Sequence, residues 1–337
     1  MLRFRNGNPT IQDINILNER VIRGKAPRGV QVATYANCTR DAVNSAVFDD
    51  YCATHGQDKP GRILTEAVMV LMDELTMNDS AQKPQDVMSN SVKKWFYENC
   101  GENNLETSGK KGRVDPILKL YPNVPMMFTA NKNVMCGEAN GSRVFVKSVH
   151  LKTGEVPFLL KLDNGTTIQA VMASQVQDIS LEHENKDISP RFFKTLPQKF
   201  NFTAKIDICG ITEKMTMSGK QFPIISNTAT TGHKLQGCSL DAILVNDWCY
   251  KANWVYVVLS RVKTLCGLYL RQELSYDLSK YEQSQSMKDM MEGFQNAWFA
   301  MEYFNDKQYE DLVNTGHDLP KVGTPDLHDD MEEEANF

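Results

Sequence analysis

Two short β-rich runs, residues 30–35 and 242–245, constrain the fold of this chain more than any other feature. Both read as buried strands, and strands buried on both faces belong to parallel sheets covered by helices. A parallel pair cannot be closed by a tight turn; it needs a long crossover, usually helical. The flanking sequence supplies one. After residue 35 come Asn37 and the polar turn Cys38-Thr39-Arg40, then residues 41–51, where Val43, Ala46 and Val47 share a helical face. Residues 251–262 read as a second helix and residues 268–270 as a closing strand. The predicted fold class is α/β, with residues 221–275 and 30–50 in one parallel sheet.

The remaining sequence has other textures. Residues 9–25 predict a helix opened by Pro9-Thr10, with Ile11, Ile14, Leu17, Val21 and Ile22 near helical spacing. Residues 52–62 form a Gly/Pro-broken loop. Residues 78–116 are polar and irregular apart from a possible helix at 92–97, the texture of a surface insertion. From residue 124 the pattern turns to β, with candidate strands at 126–129, 144–151, 158–162 and 166–172. The last two are joined by the turn Asp163-Asn164-Gly165. A tight hairpin cannot enter a parallel sheet by a crossover, so this segment is expected to protrude as a small β-barrel or curled sheet. A further β-rich region spans residues 200–225, and residues 287–304 read as an amphipathic aromatic helix.

Charge narrows the possible partners. The formal net charge is -5, which argues against a broad basic face. Yet Asp326, Asp329, Asp330, Glu332, Glu333 and Glu334 fall in residues 325–337, where no Lys or Arg occurs, and the rest of the chain carries +1. A nucleic-acid path on such a body is a local groove. The acidic tail, 306–337, is expected to be disordered. The cysteines form no CxxC pair and no zinc spacing, so no metal site is predicted. They read as reduced thiols of an intracellular protein. No secretory signal occurs, and no apolar run reaches the ~20 residues that span a membrane.

The sharpest signal is Thr230-Thr231-Gly232-His233-Lys234-Leu235-Gln236-Gly237-Cys238-Ser239-Leu240-Asp241, followed by Val255-Tyr256-Val257-Val258-Leu259-Ser260-Arg261-Val262. In order and separation the two resemble motifs V and VI of superfamily 1 DNA helicases of the RecD/Pif type. Leu265-Cys266-Gly267-Leu268-Tyr269-Leu270 is similar to the L-x-G-L-x-L ending of that family. Met127-Phe128-Thr129-Ala130-Asn131, with Gly137 and Asn140-Gly141, resembles the segment by which the family enters a small SH3-like barrel. Val32-Ala33-Thr34-Tyr35-Ala36-Asn37, with Asp41 and Asn44, resembles the strand-and-Asn motif that opens its second RecA-like domain. Departures are confined to a few positions: Trp254 stands where the family usually has Gln, and Gly232 and Leu235 replace β-branched and Ser residues.

The resemblance implies a RecA-like parallel sheet with an inserted SH3-like β-barrel, the C-terminal motor half of an ATP-dependent DNA helicase. Residues 1–135 would begin the RecA-like domain, with an insertion near 52–116. Residues 136–200 would form the barrel, and residues 201–305 would complete the domain with motifs V and VI. A helicase hydrolyses ATP between two such domains, and the second supplies charge to the developing transition state. By resemblance Arg261 is that arginine finger, since guanidinium stays charged and presents a planar fork to phosphate. Gln236 would act beside it, orienting a water or sensing hydrolysis, with Gly237 and Ser260 near the nucleotide. Thr231, His233 and Lys234 would lie on the backbone of single-stranded DNA, where hydroxyl, imidazole and ammonium bind phosphate without reading sequence. Taken alone, Arg261 reads as a surface salt-bridge partner, His233 as a structural histidine and Lys234 as a solvated side chain.

ATP and Mg²⁺ are implied for the complete helicase, but this chain is expected to hold neither alone. No G-x-x-x-x-G-K-[ST] occurs in it. The partner implied is a first RecA-like domain carrying that P-loop. Residues 67–74, an apolar run ending in Asp73-Glu74, imitate a Walker B strand but follow the strand-and-Asn motif instead of preceding it. They are taken as a buried strand or helix with a polar end. The rival reading is a non-catalytic nucleic-acid-binding remnant or adaptor of a truncated helicase gene. A third is an inactive mobile-element relic. The expected location is intracellular, nuclear or mitochondrial.

Overall fold

Strand Gln31–Thr34 lies inside a four-stranded, all-parallel sheet ordered Ala229–Thr231, Gln31–Thr34, Ile243–Val245, Leu268–Leu270. The computed structural model describes residues 2–24, 26–27, 29–56, 63–77, 105–107, 113–208, 211–251 and 253–302. The chain divides into two compact units, Met1–Glu282 and Gln283–Phe337. The first holds the sheets; the second contributes helix Gln285–Glu302. The expected tail, 306–337, and the possible helix at 92–97 lie outside the described residues.

Both faces of the parallel sheet are covered, as the two apolar runs require. Ala33, Ile243, Val245, Leu268 and Leu270 share a core with Ile14 and Leu17 of helix Ile11–Asn18 and with Trp254, Val255, Val258 and Leu259 of helix Trp254–Leu259. On the opposite face Val32, Ala229 and Leu244 pack with Val43 of the long helix Asn37–Gly56. Asn44 of that helix ties the sheet to its crossover. Its amide donates to the carbonyls of Ser226 and Ala229 and accepts from the Ala229 N–H at 2.7 Å.

Two predicted helices are shorter than expected, each for a local reason. Thr10 caps the first through a capping box with Asp13, but the helix ends at Asn18. Beyond it the free edge of strand Leu268–Leu270 recruits the chain: Val21 bridges to Leu270, and the Ile22 N–H donates to the Leu270 carbonyl. The second helix begins only after Asn253, whose left-handed backbone (φ 55°) breaks any earlier turn. It ends before Val262, which bridges Leu240 instead.

Among the described residues the β-rich remainder forms three further sheets. One sheet, ordered Ile117–Leu120, Ile63–Leu71, Thr167–Met172, Phe158–Lys161, contains the predicted hairpin in antiparallel register. A second, ordered Phe192–Thr195, Val176–His183, Arg143–Leu151, Pro125–Phe128, Ile224–Ser226, is antiparallel throughout. Their facing sides share one core that includes Val70, Leu118, Phe128, Val144, Val171 and Ile179. The third is built on the long hairpin Gln198–Ile208 and Ile211–Gln221. The Walker B look-alike is strand in these sheets, outside the parallel one. Asp73 accepts a hydrogen bond from Ser174, and Glu74 pairs with Lys220 at 3.0 Å. The segment expected as a surface insertion thus lends strands to sheets completed by residues far along the chain.

Gly267 marks the tightest point of the parallel sheet. A Cβ there would lie 1.9 Å from the backbone carbonyl oxygen of Asp241, so any side chain forces the loops before the last two strands apart. Gly267→Ala should destabilise the protein by at least ~1–3 kcal/mol, the usual range for overpacking. Gly24→Ala, where no atom lies within 4 Å of the added carbon, should stay within about 0.5 kcal/mol of wild type. Urea unfolding midpoints of the two variants check this; equal midpoints would contradict the packing.

Candidate nucleic-acid groove

The carboxyl ends of parallel strands are where open α/β sheets bind ligands, because the loops leaving them diverge around a crevice. Strands Gln31–Thr34 and Ala229–Thr231 end side by side here, with Thr34 paired to Thr231. The chain then leaves the first strand through Tyr35 and Asn37, and the second through the one-turn helix Gly232–Leu235. Between these exits lies an open groove of about 260 Å³. It is lined by Tyr35, Asn37 and Arg40 after the first strand, and by Thr230, Thr231, His233 and Lys234 at and after the second. Met127, Thr129 and Asn140 from the antiparallel β region, together with Ile225, complete the lining.

Three of the seven residues singled out from the sequence therefore meet in one groove. His233 and Lys234 are exposed, while Thr231 is partly buried. Lys234 contributes an exposed ammonium to the groove and His233 an exposed imidazole. Arg40 is committed elsewhere: it is 5% exposed, donates to Asn37 Oδ1 at 3.0 Å and pairs with Asp41. Thr129 is 8% exposed, and its hydroxyl has no hydrogen-bond partner among the described residues. Sequence patterning gave Arg40 and Thr129 no role. Their only signal is membership of, or closeness to, the two segments that resemble helicase motifs.

The other four lie outside this groove. Gln236 and Gly237 follow the one-turn helix and are exposed; Gly237 takes φ 81°, a backbone setting that suits glycine. Ser260 and Arg261 close helix Trp254–Leu259. The Arg261 guanidinium donates from Nε to the Val257 carbonyl at 2.9 Å and from Nη2 to Ser260 Oγ at 2.7 Å. It has no carboxylate partner among the described residues, so the surface salt-bridge reading does not describe it. The Leu240 N–H donates to the Arg261 carbonyl at 2.8 Å, which joins the end of the first motif to the end of the second. Among the described residues no group of three or more His, Cys, Asp or Glu could hold a metal ion.

Two of the three sequence departures, Gly232 and Trp254, prove to be one packing arrangement. A Cβ on Gly232 would lie 2.5 Å from Trp254 Nε1 and 2.8 Å from both Trp254 Cε2 and Val258 Cγ2. Trp254, 1% exposed, fills the space that a side chain at 232 would need, with its ring edge-on to Tyr35 and Trp248. The turn carrying His233 and Lys234 thus rests on the helix that carries Arg261.

Over 88% of its length the chain is similar in structure to the Bacteroides Pif1 helicase bound to single-stranded DNA, with a TM-score of 0.51 and 18% sequence identity, and it covers 52% of that chain. It is similar also to Pif1 helicase from Candida albicans, at TM-score 0.50 and 16% identity over 87% of this chain and 56% of that one. The chain thus spans about half the length of the structures it matches, and the likeness is one of fold: a mixed α/β, RecA-like arrangement with parallel strands. No protein-family model and no curated protein matches the sequence.

If Gly232 and Trp254 are matched in size, their substitutions are coupled. Gly232→Ala should cost more stability in the wild-type background than beside Trp254→Leu. The difference should be ~0.5–3 kcal/mol, the usual coupling between touching residues. Chemical unfolding of the four proteins in the cycle measures it; additive costs would separate the two residues.

Proposed function

We propose that this chain is the second motor domain of a Pif-like, ATP-dependent DNA helicase, binding single-stranded DNA across the groove and offering Arg261 to ATP held by a separate P-loop domain. The observation that carries this reading is the convergence of three motif-like segments, 32–44, 127–141 and 230–235, on one groove outside the carboxyl ends of the sheet. Proteins of this fold bound to single-stranded DNA supply the analogy. The domain scheme we adopt keeps the RecA-like sheet as the motor body, with the β region between residues 63 and 226 as its protruding, SH3-like part.

Each residue then has a task its chemistry suits. Lys234 and His233 meet phosphates, and Thr231 adds a hydroxyl at the strand end. These contacts do not depend on base identity. Arg261 is held as a fork by Val257 and Ser260, which limits the freedom it loses on meeting a phosphate. Gln236 and Gly237 lie on the exposed loop that Leu240 joins to Arg261, so the two motifs can face one nucleotide together. ATP hydrolysis would supply the free energy of strand separation, and the P-loop domain would hold the Mg²⁺ through its Ser or Thr and a carboxylate.

The adaptor reading, a nucleic-acid-binding protein without catalysis, draws support from Trp254, which replaces a polar residue between groove and arginine helix with an apolar one. It shares the groove and differs in Arg261. No helix among the described residues is long and apolar enough to cross a membrane.

Binding of short oligonucleotides should weaken steeply with salt, at a slope of about -0.7 per phosphate neutralised. Lys234→Ala should weaken binding alike for every base sequence and reduce the slope by roughly 0.7, one phosphate's share. Affinity that ignores salt, or a Lys234 effect that depends on base sequence, would remove the groove assignment. With a P-loop motor domain supplied, Arg261→Ala should lower DNA-stimulated ATP turnover by roughly 10³-fold or more, the usual worth of such a finger, while leaving oligonucleotide affinity unchanged. Unchanged turnover would favour the adaptor.

A further inference from the structure

The groove holds one large aromatic side chain that phosphate binding does not use. Tyr35 follows the inner strand directly and remains 46% exposed while lining the groove together with His233 and Lys234. An exposed tyrosine is commonly just a solvated ring, but this one is fixed from several sides. Its backbone N–H donates to the Asp247 carboxylate at 3.2 Å. Its ring meets the buried Trp254 edge-on, with centroids 6.1 Å apart and planes at 86°. The Cys249 thiol beside its hydroxyl raises the phenol above its ordinary pKa. A ring held this way loses little freedom when a flat ligand settles on it, and Gly232 is what leaves room for the indole behind it.

We propose that Tyr35 is a stacking platform for one nucleobase of the bound single strand, with Trp254 as its buried backing. The inference rests on the DNA-binding reading of the groove and adds the contact that reading lacks. His233 and Lys234 hold phosphates, and Tyr35 takes a base in the same groove. Stacking tolerates any base because every base has a π-face. A protein lacking a basic face gains from such a contact, because stacking does not depend on charge.

The test compares a short oligothymidine with an abasic oligonucleotide of the same length, which keeps the phosphates and lacks the bases. The full chain should bind oligothymidine roughly 5- to 100-fold more tightly, the worth of one stacked base. Tyr35→Leu, which keeps an apolar contact for Trp254 but has no π-face, should erase that preference without weakening the abasic complex. Tyr35→Phe should restore it, and Lys234→Ala should weaken both complexes equally. Equal wild-type affinity for the two probes overturns the proposal, as does a Tyr35→Leu variant that keeps the preference or weakens both complexes alike. If neither probe binds in a salt-dependent way and Lys234→Ala changes nothing, the underlying DNA-binding reading falls as well, a result distinct from failure of Tyr35 alone.

Discussion

The structure depends on the parallel pairing of Gln31–Thr34 with its two neighbours. Strands Ala229–Thr231 and Ile243–Val245 flank it from about two hundred residues further along the chain, and the register sets Thr34 against Thr231. Such non-local pairs carry a large closure entropy, which grows slowly with loop length and is offset only by burial on both faces. Ala33, Ile243 and Val245 are fully buried on one face, and Ala229 on the other. Buried polar groups hold the junction where the β region enters. Gln31 donates to the carbonyls of Asn227 and Thr228 and accepts from Arg143 at 2.6 Å, while Asn44 clamps both sides of Ala229. Leaving any of these backbone groups unpaired costs about 1–3 kcal/mol. Asn44, which follows the opening motif, is thereby explained as a structural clamp.

A groove at the end of this sheet follows from the topology. The loops after the first two strands have to part, because one leads into the long helix Asn37–Gly56 and the other into a single turn resting on Trp254. Gly232 and Trp254 settle how closely that turn approaches the helix ending at Arg261. A larger residue at 232 with a smaller one at 254 could fill the same volume, so the unusual tryptophan reads as a repacking of the contact between the two motifs. In this chain the groove's turn and the arginine are linked through apolar contact with Trp254 and Val258 and through the Leu240–Arg261 backbone bond.

Much of this arrangement was legible in the residues, where local signals were strong. The apolar runs at 30–35 and 242–245, the closing strand at 268–270 and the Asn164-Gly165 hairpin all lie where periodicity and turn chemistry put them. Misjudged features answered to distant partners. Val21 and Ile22 have helical spacing, yet the open edge of Leu268–Leu270 takes them. Residues 67–74 read as a buried strand or helix with a polar end, and strand Ile63–Leu71 is buried there, but its parallel partner Thr167–Met172 is one no local pattern announces. The groove shows the same division. Thr231, His233 and Lys234 were visible within one contiguous motif, whereas Tyr35, Arg40 and Thr129 matter only because three segments converge, and convergence has no signature in any one of them.

The central claim is that single-stranded DNA crosses the carboxyl ends of the parallel sheet between Tyr35 and Lys234. Zero-length photocrosslinking of a 4-thiothymidine oligonucleotide to the full chain, mapped by peptide mass spectrometry, addresses it most directly. The account predicts adducts within residues 34–40, 127–140 and 230–234, competed away by unlabelled single strands. Adducts confined to the exposed edge strand Phe158–Lys161 or to the hairpin Gln198–Ile208 and Ile211–Gln221 would contradict it.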